Sequence, residues 1–293
     1  MGTPEVAIPA RASVGEGPLW SVAESALYWV DVPAGALHRF ELGSGATRNW
    51  QLPSEVGSIA LRAGGGAIAA LRTGFALVDL DSGEVEQLED PEADEPRTRF
   101  NDGKCDRRGR FWAGTMDLDE RAPLGALYRF SGPGRCERML DGIGLSNGLG
   151  WSPDDRTMYH TDSLTAVIMA YDYDIDSGTL SSPRRFAVDR HQAVPDGLTV
   201  DADGCVWSVK WDGWRVVRYT PDGRVDREVA LPVGHPTSCT FGGDGLDVLF
   251  VTSAREGLGQ AALADQPLAG SVFAIEPGVQ GLPEPSYQED PCG

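Results

Sequence analysis

The sequence predicts an all-β fold, a six-bladed β-propeller with four antiparallel strands per blade. Three observations lead there. First, a short unit recurs: a polar residue beside Gly, a short run, a turn rich in Asp or Gly, and a second run built on an aromatic. Its clearest copies are RFNDGKCDRRGRFWAGTMD at 99–117, NGLGWSPDDRTMYHTD at 147–162 and DGLTVDADGCVWSVKW at 196–211. Two short runs about such a turn read as an antiparallel hairpin. In a hairpin the start of the first strand and the end of the second lie together, so Asn101 is expected beside Thr115 to Asp117. Second, the units are periodic. Fainter copies lead from Glu16, Ser58 and Ser238, and the six leading positions are spaced by 42, 43, 46, 49 and 42 residues. A period of that size made of short strands is the mark of a propeller, one blade per repeat. Third, 37 Gly and 20 Pro supply many turns, and 41% hydrophobic residues can fill a core. A closed β array can hold all 293 residues as a single domain, 1–293.

Taken in order, Glu5 to Ala10 alternates weakly and is expected to pair into the last blade, closing the ring. Blade one spans Gly15 to Leu52, with outer strands near 36–42 and 47–52. Blade two spans Gly57 to Leu88. Asp90 to Thr98, DPEADEPRT, is acidic and Pro-containing and reads as a loop between blades. Blade three spans Arg99 to Leu140, blade four Asn147 to Val188, and blade five Asp196 to Leu231. Blade six starts at Thr237 and is interrupted after Ser253 by REGLGQAALADQPLAG, in which Gln260 to Asp265 can form a helical turn; Val272 to Ile275 resumes as its third strand. The Pro-containing tail after Pro277 reads as frayed.

Charge and composition exclude several function classes. The formal net charge of −19 opposes binding to nucleic acid and favours cations. No apolar run reaches the ~20 residues of a membrane helix. The first residues, MGTPEVAIPARASVGEG, lack the basic and apolar stretches of a secretion signal. Five cysteines without a CxxC pair do not suggest a disulfide framework, and Cys105, Cys205 and Cys239 fall on predicted strands as buried small hydrophobes. A cytoplasmic location follows, with no obligate protein partner evident.

Motifs of nucleophilic and calcium-loop chemistry lack their context. Gly144-Leu-Ser146-Asn-Gly148 matches the nucleophile elbow, which needs a strand before and a helix after. Here a strand and a turn follow, so Ser146 is not read as a nucleophile. Asp172 to Gly178 resembles a calcium loop but has Ser177 and Pro183 where an EF-hand needs Gly and Glu. His160 reads as a packed strand residue, not a ligand.

The leading residues carry more. Glu16, Asn101, Asn147 and Asp196 start the innermost strands of their blades, so they should converge on one mouth of the central channel. Two carboxylates and two amide oxygens make a hard oxygen site suited to Ca²⁺, Mg²⁺ or Mn²⁺, and less selectively to Zn²⁺ or Fe²⁺. Asn-Gly and Asp-Gly also occur in turns for local reasons; their coincidence in phase with the repeat favours a site.

The same residues carry a resemblance. GEGPLW at 15–20, RFNDGKCDRRGRFWAGTM at 99–116, SNGLGWSPD at 146–154, PDGLTVDADGCVW at 195–207, PTSCTFGG at 236–243 and VTSAREGL at 251–258 resemble the senescence-marker-protein/gluconolactonase family, which includes regucalcin, bacterial sugar lactonases and luciferin-regenerating enzymes. The insertion of blade six is most similar to that of the bacterial sugar lactonases. The resemblance implies one divalent metal at the channel mouth, held by Glu16, Asn147 and Asp196. It implies substrate binding by Arg99 and Asn101, with Asp196 also the general base. The implied reaction is hydrolysis of a sugar lactone, the small-molecule partner, to the aldonic acid by water attack on a metal-polarised carbonyl. Lys210 departs from the small residue that often ends the blade-five hairpin in the family and is expected to present its ammonium to the substrate, the rival reading being a lysine turned to solvent. The rival reading of Arg99 is a surface charge neutralising Glu92, Asp94 and Glu95. The rival functions are a calcium-binding regulatory protein without catalysis and a scaffold for protein partners.

Overall fold

The structure is a computed structural model and describes residues 2–189 and 193–289. Six four-stranded antiparallel sheets follow one another along the chain. β1 (Glu5–Ile8) precedes the first complete blade, which is β2 (Gly15–Ser21), β3 (Ala26–Asp31), β4 (Ala36–Glu41) and β5 (Thr47–Gln51). The second blade is β6 (Val56–Leu61), β7 (Ala67–Leu71), β8 (Gly74–Val78) and β9 (Val85–Glu89). The third is β10 (Thr98–Cys105), β11 (Phe111–Asp117), β12 (Gly125–Phe130) and β13 (Cys136–Ile143). The fourth is β14 (Ser146–Trp151), β15 (Thr157–Asp162), β16 (Val167–Asp174) and β17 (Thr179–Val188). The fifth is β18 (Val194–Val200), β19 (Val206–Trp211), β20 (Arg215–Tyr219) and β21 (Val225–Ala230). The sixth contains β22 (Pro236–Gly242), β23 (Val248–Ser253) and, after α1 (Gln260–Asp265), β24 (Val272–Ile275). β1 is its fourth strand, with Glu5 opposite Ala274 and Ile8 opposite Val272. The ring therefore closes by pairing a strand from near the start of the sequence with one from near its end, as the sequence predicts.

Apolar residues from facing sheets fill the seams between blades. Phe75 of blade two stacks on Phe130 of blade three, with centroids 4.5 Å apart, and meets Phe100 at 4.7 Å. The aromatic that recurs in the second strand has a specific partner. Asp106 Oδ2 accepts from Trp112 Nε1 at 2.8 Å, and Asp201 Oδ2 accepts from Trp207 Nε1 at 2.8 Å. Each of these buried turn carboxylates also takes an arginine, Arg110 at 2.6 Å and Arg218 at 2.8 Å. A buried carboxylate is tolerable when its oxygens are paired in this way. Thus the Asp of the turn and the Trp six residues later form one unit that locks the inner hairpins of blades three and five.

The tail is not frayed as expected. Gly281 N donates to Leu246 O, Tyr287 N to Leu61 O, and Gln288 N to Gly109 O. The tail thus crosses blades six, two and three, and Tyr287 is buried against Phe130. The carboxylate of Glu284 takes Lys104 Nζ at 3.0 Å, joining the tail to the inner strand of blade three. Sequence reading missed this because the prolines that argue against strand do not prevent an extended segment from hydrogen-bonding along turns.

Candidate functional site

Every innermost strand breaks register where its leading residue stands. The irregularities fall between Glu16 and Leu19, Val56 and Ser58, Phe100 and Gly103, Asn147 and Leu149, Pro195 and Leu198, and Pro236 and Cys239. A β-bulge re-aims a side chain that a regular ladder would point into a seam. The adjoining glycines are needed for close approach. A Cβ on Gly57 would meet Asn101 O at 2.2 Å, and one on Gly148 would meet Asp196 O at 2.7 Å. Inner strands of successive blades therefore touch through backbone at the bulges. Thr98 lies opposite Asp117 and Phe100 opposite Thr115, so the two hairpin ends share one rim.

Glu16, Asn101, Asn147 and Asp196 are all buried there. Burial, then the charges of Asp196 and Asp102, holds the Glu16 carboxyl well above the usual carboxylate range. Burial and Asp102 do the same to Asp196, against a smaller lowering by the Asn147 side chain. Glu16 thus feels the charges of both Asp102 and Asp196, and Asp196 that of Asp102. Asp102 was not singled out from sequence. Burial raises its carboxyl to about 6, Lys104 pulls it down, and its Oδ1 accepts from Gly103 N at 2.7 Å. The signal for it was available in the NDGK motif, where Asn-Asp at a bulge turns both side chains out of the ladder.

The two asparagines are held differently. Asn147 Nδ2 donates to Ser163 Oγ at 3.2 Å, and Ser163 Oγ donates onward to Pro195 O at 2.6 Å. With its proton committed to Pro195, Ser163 must accept from Asn147, which fixes the amide's orientation. Asn147 Oδ1 is then left buried without a hydrogen-bond partner, and so is Asp196 Oδ1. Asn101 has neither end free. Its Nδ2 donates to Ser146 O at 2.9 Å and its Oδ1 accepts from Arg99 Nη1 at 2.9 Å.

Arg99 also donates to Phe100 O at 2.9 Å. It does not neutralise the acidic loop. Glu95 pairs with Arg97, and Glu92 takes Thr98, Thr115 and Tyr128 hydroxyls. Burial lowers the Arg99 guanidinium's proton affinity, against the charges of Glu55, Glu120, Glu256 and Glu16. A cavity of about 180 Å³ lies beside it, bounded by Arg72, Glu92 and Thr115.

Lys210 requires a correction. Its ammonium is not presented to the mouth. It is fully buried, with Nζ 2.7 Å from Asp189 Oδ2, 3.1 Å from Ser208 Oγ and 5.0 Å from the Tyr219 ring centroid. Asp189 follows the outer strand of blade four and Tyr219 lies on the third strand of blade five. The ammonium therefore fills the seam between these blades. Strand position was read correctly, but alternation along β19 sends the side chain off the channel.

Among the described residues no group of three His, Cys, Asp or Glu side chains is placed to hold a metal. A cation here would need the amide oxygen of Asn147 beside Glu16 and Asp196. Those groups fit one: two buried oxygens lack partners, and the carboxylates repel one another. Hard oxygen donors of this kind suit Ca²⁺ or Mg²⁺.

Comparison with known proteins agrees with this architecture. A 6-deoxy-6-sulfogluconolactonase from Pseudomonas putida is 42% identical over 276 residues, 94% of each chain. A regucalcin from Oryctolagus cuniculus is 36% identical over 292 residues, 97% of each chain. Among solved structures, a regucalcin from Agrobacterium tumefaciens, described as a calcium-binding protein, superposes with a TM-score of 0.93 at 28% identity, covering 98% of this chain and all of that one. The family model described as SMP-30/Gluconolactonase/LRE-like region matches residues 14–255, and the chain belongs to that family.

Proposed function

We propose that the protein hydrolyses a sugar lactone to its aldonic acid, with one divalent cation held by Glu16, Asn147 and Asp196. The observation that carries this reading is the pair of buried, unpartnered oxygens on Asn147 and Asp196 beside a second buried carboxylate. A buried acceptor without a partner costs ~1–3 kcal/mol, so two of them beside a second carboxylate support a positive ligand here. The sulfogluconolactonase relative supports the reaction class. A bound cation supplies Lewis-acid polarisation of an ester carbonyl.

The chain's own residues supply the rest. Arg99 donates to the sugar hydroxyls or carbonyl side of the lactone, and Asn101 holds the guanidinium in place. Asp196 takes the proton of the attacking water as the new C–O bond forms. When the ring ester bond breaks, that proton goes to the departing ring oxygen, which becomes a hydroxyl of the aldonic acid. No acyl-enzyme is required, in keeping with Ser146 being wholly buried.

A second reading is a calcium-binding protein without turnover, favoured by the regucalcin relatives. A panel of aldono-1,4- and 1,5-lactones followed by acid release separates the two. The proposed function expects turnover of at least one lactone and a KM raised about tenfold in Arg99→Ala. Calcium binding with no lactone turned over supports the second.

A further inference from the structure

Blade four carries a side-chain bond across its bulge. β14 pairs with β15 at Ser146 opposite Asp162 and Asn147 opposite Thr161, skips Gly148, and resumes at Leu149 opposite His160. The ladder is thus interrupted beside Asn147, and the bulge needs other restraints. One is a hydrogen bond of 2.8 Å between Ser146 Oγ and His160 Nε2, with both residues buried. At the same register the other blades carry Tyr28, Ala70, Ala113, Ser208 and Val251, so the imidazole is particular to blade four.

Ser146 is the junction of two site residues. Its main-chain oxygen accepts from Asn101 Nδ2 at 2.9 Å, and its next neighbour is Asn147. Its hydroxyl is packed over Gly114, where a Cβ would fall 1.8 Å from Ser146 Oγ. The Asp162 carboxylate, which would complete a nucleophilic triad, instead accepts from Leu145 N at 3.0 Å. Full burial denies the hydroxyl to any substrate. The dyad therefore does mechanical work on its neighbours.

We infer that His160 is a positioning residue: through Ser146 it sets Asn101 of blade three and Asn147 of blade four relative to one another. This rests on the proposed function, in which Asn101 steadies the substrate-binding arginine and Asn147 supplies a cation ligand. Partners one shell removed from a ligand typically change affinity or activity by 10- to 100-fold when lost.

The test uses His160→Phe, Ser146→Ala, their double variant and His160→Gln, in the full-length protein. Calcium affinity by calorimetry, KM and kcat are measured on each, with melting temperature as the folding control. The inference expects calcium affinity to fall about tenfold and KM for the preferred lactone to rise in each single variant. The double variant should be no worse than either single one, because both remove one bond, and His160→Gln should recover part of the loss. The side-chain amide signals of Asn101 in ¹⁵N-edited spectra of the metal-free protein provide a readout independent of any ligand; they should shift in both single variants. Unchanged amide signals, or variants that lose melting temperature but keep wild-type affinity and KM, would overturn the inference. Shifted amide signals in a protein that turns over no lactone would uphold the positioning role and overturn the proposed function instead.

Discussion

Asn147 and Asp196 stand side by side on successive inner strands, and each keeps one buried oxygen, Oδ1, without a hydrogen-bond partner. Asn147 cannot turn its amide to relieve this, because Ser163 already gives its proton to Pro195. Asp196 faces the further cost of being near Glu16 and Asp102. Two buried acceptors without partners cost the fold stability that the proposed cation would return.

It follows that Asp196→Asn should make the metal-free protein more stable, raising its melting temperature, because one of three mutually repelling carboxylates is removed. The same change should weaken calcium affinity by at least 100-fold and abolish most turnover. Thermal unfolding with and without calcium checks both halves. A lower melting temperature in the metal-free variant would show that the Asp196 carboxylate is a net stabilising group in the metal-free fold.

Much of this was legible in the residues. The 42- to 49-residue spacing of the leading positions gave the blade count, and the Asn-Gly and Asp-Gly pairs marked the bulges. Glu16, Arg99, Asn101, Asn147 and Asp196 are near one another because each begins or adjoins the start of an inner strand. Asp102 was hidden by its neighbour: in a regular strand it would face away from Asn101, and only the bulge brings both inward. Lys210 was misplaced for the complementary reason. Its distance from Asp196 fixes its height on the hairpin, but strand alternation decides which way it points. Glu284 lies far along the chain in a segment without pattern, so nothing local announced its pairing with Lys104.

The histidine gives a pH signature. Burial lowers His160 to about 4, from an ordinary value near 6.5. The unfolded chain binds a proton in this range that the folded protein does not. The contribution of neutral His160 is therefore fully present above pH 6.5 and lost as pH falls toward 4, by ~3 kcal/mol in all. The stability difference between wild type and His160→Phe should shrink by about that amount between pH 7 and pH 4. Denaturant unfolding at several pH values measures it, and a difference independent of pH would show that His160 is not held neutral.

Lys210 should matter to stability and not to substrate. Asp189→Asn leaves a buried ammonium without its charge partner and should cost ~3 kcal/mol. Lys210→Met, which removes the charge and keeps the volume, should be far milder and leave KM unchanged. A raised KM across several lactones in Lys210→Met would restore the lysine to the site.

The tail should behave as part of the ring. Removing residues 280–293 strips Tyr287 from Phe130 and leaves Lys104 without Glu284. Loss of a buried aromatic and of one partner of a half-buried ion pair should lower stability by several kcal/mol. Glu284→Gln alone should reproduce the ion-pair part. A truncated protein with the melting temperature of the full chain would return the tail to the frayed state expected from its prolines.

The central claim is that the acidic cluster at the channel mouth binds a divalent cation on which lactone hydrolysis depends. It is tested most directly by following hydrolysis of an aldono-1,5-lactone by the wild-type protein before chelation, after removal of metal with EDTA and after adding back calcium, magnesium, manganese or zinc. Turnover should disappear on chelation and return with at least one cation, while Asp196→Asn stays inactive throughout. Hydrolysis that persists unchanged in the chelated protein would contradict the claim.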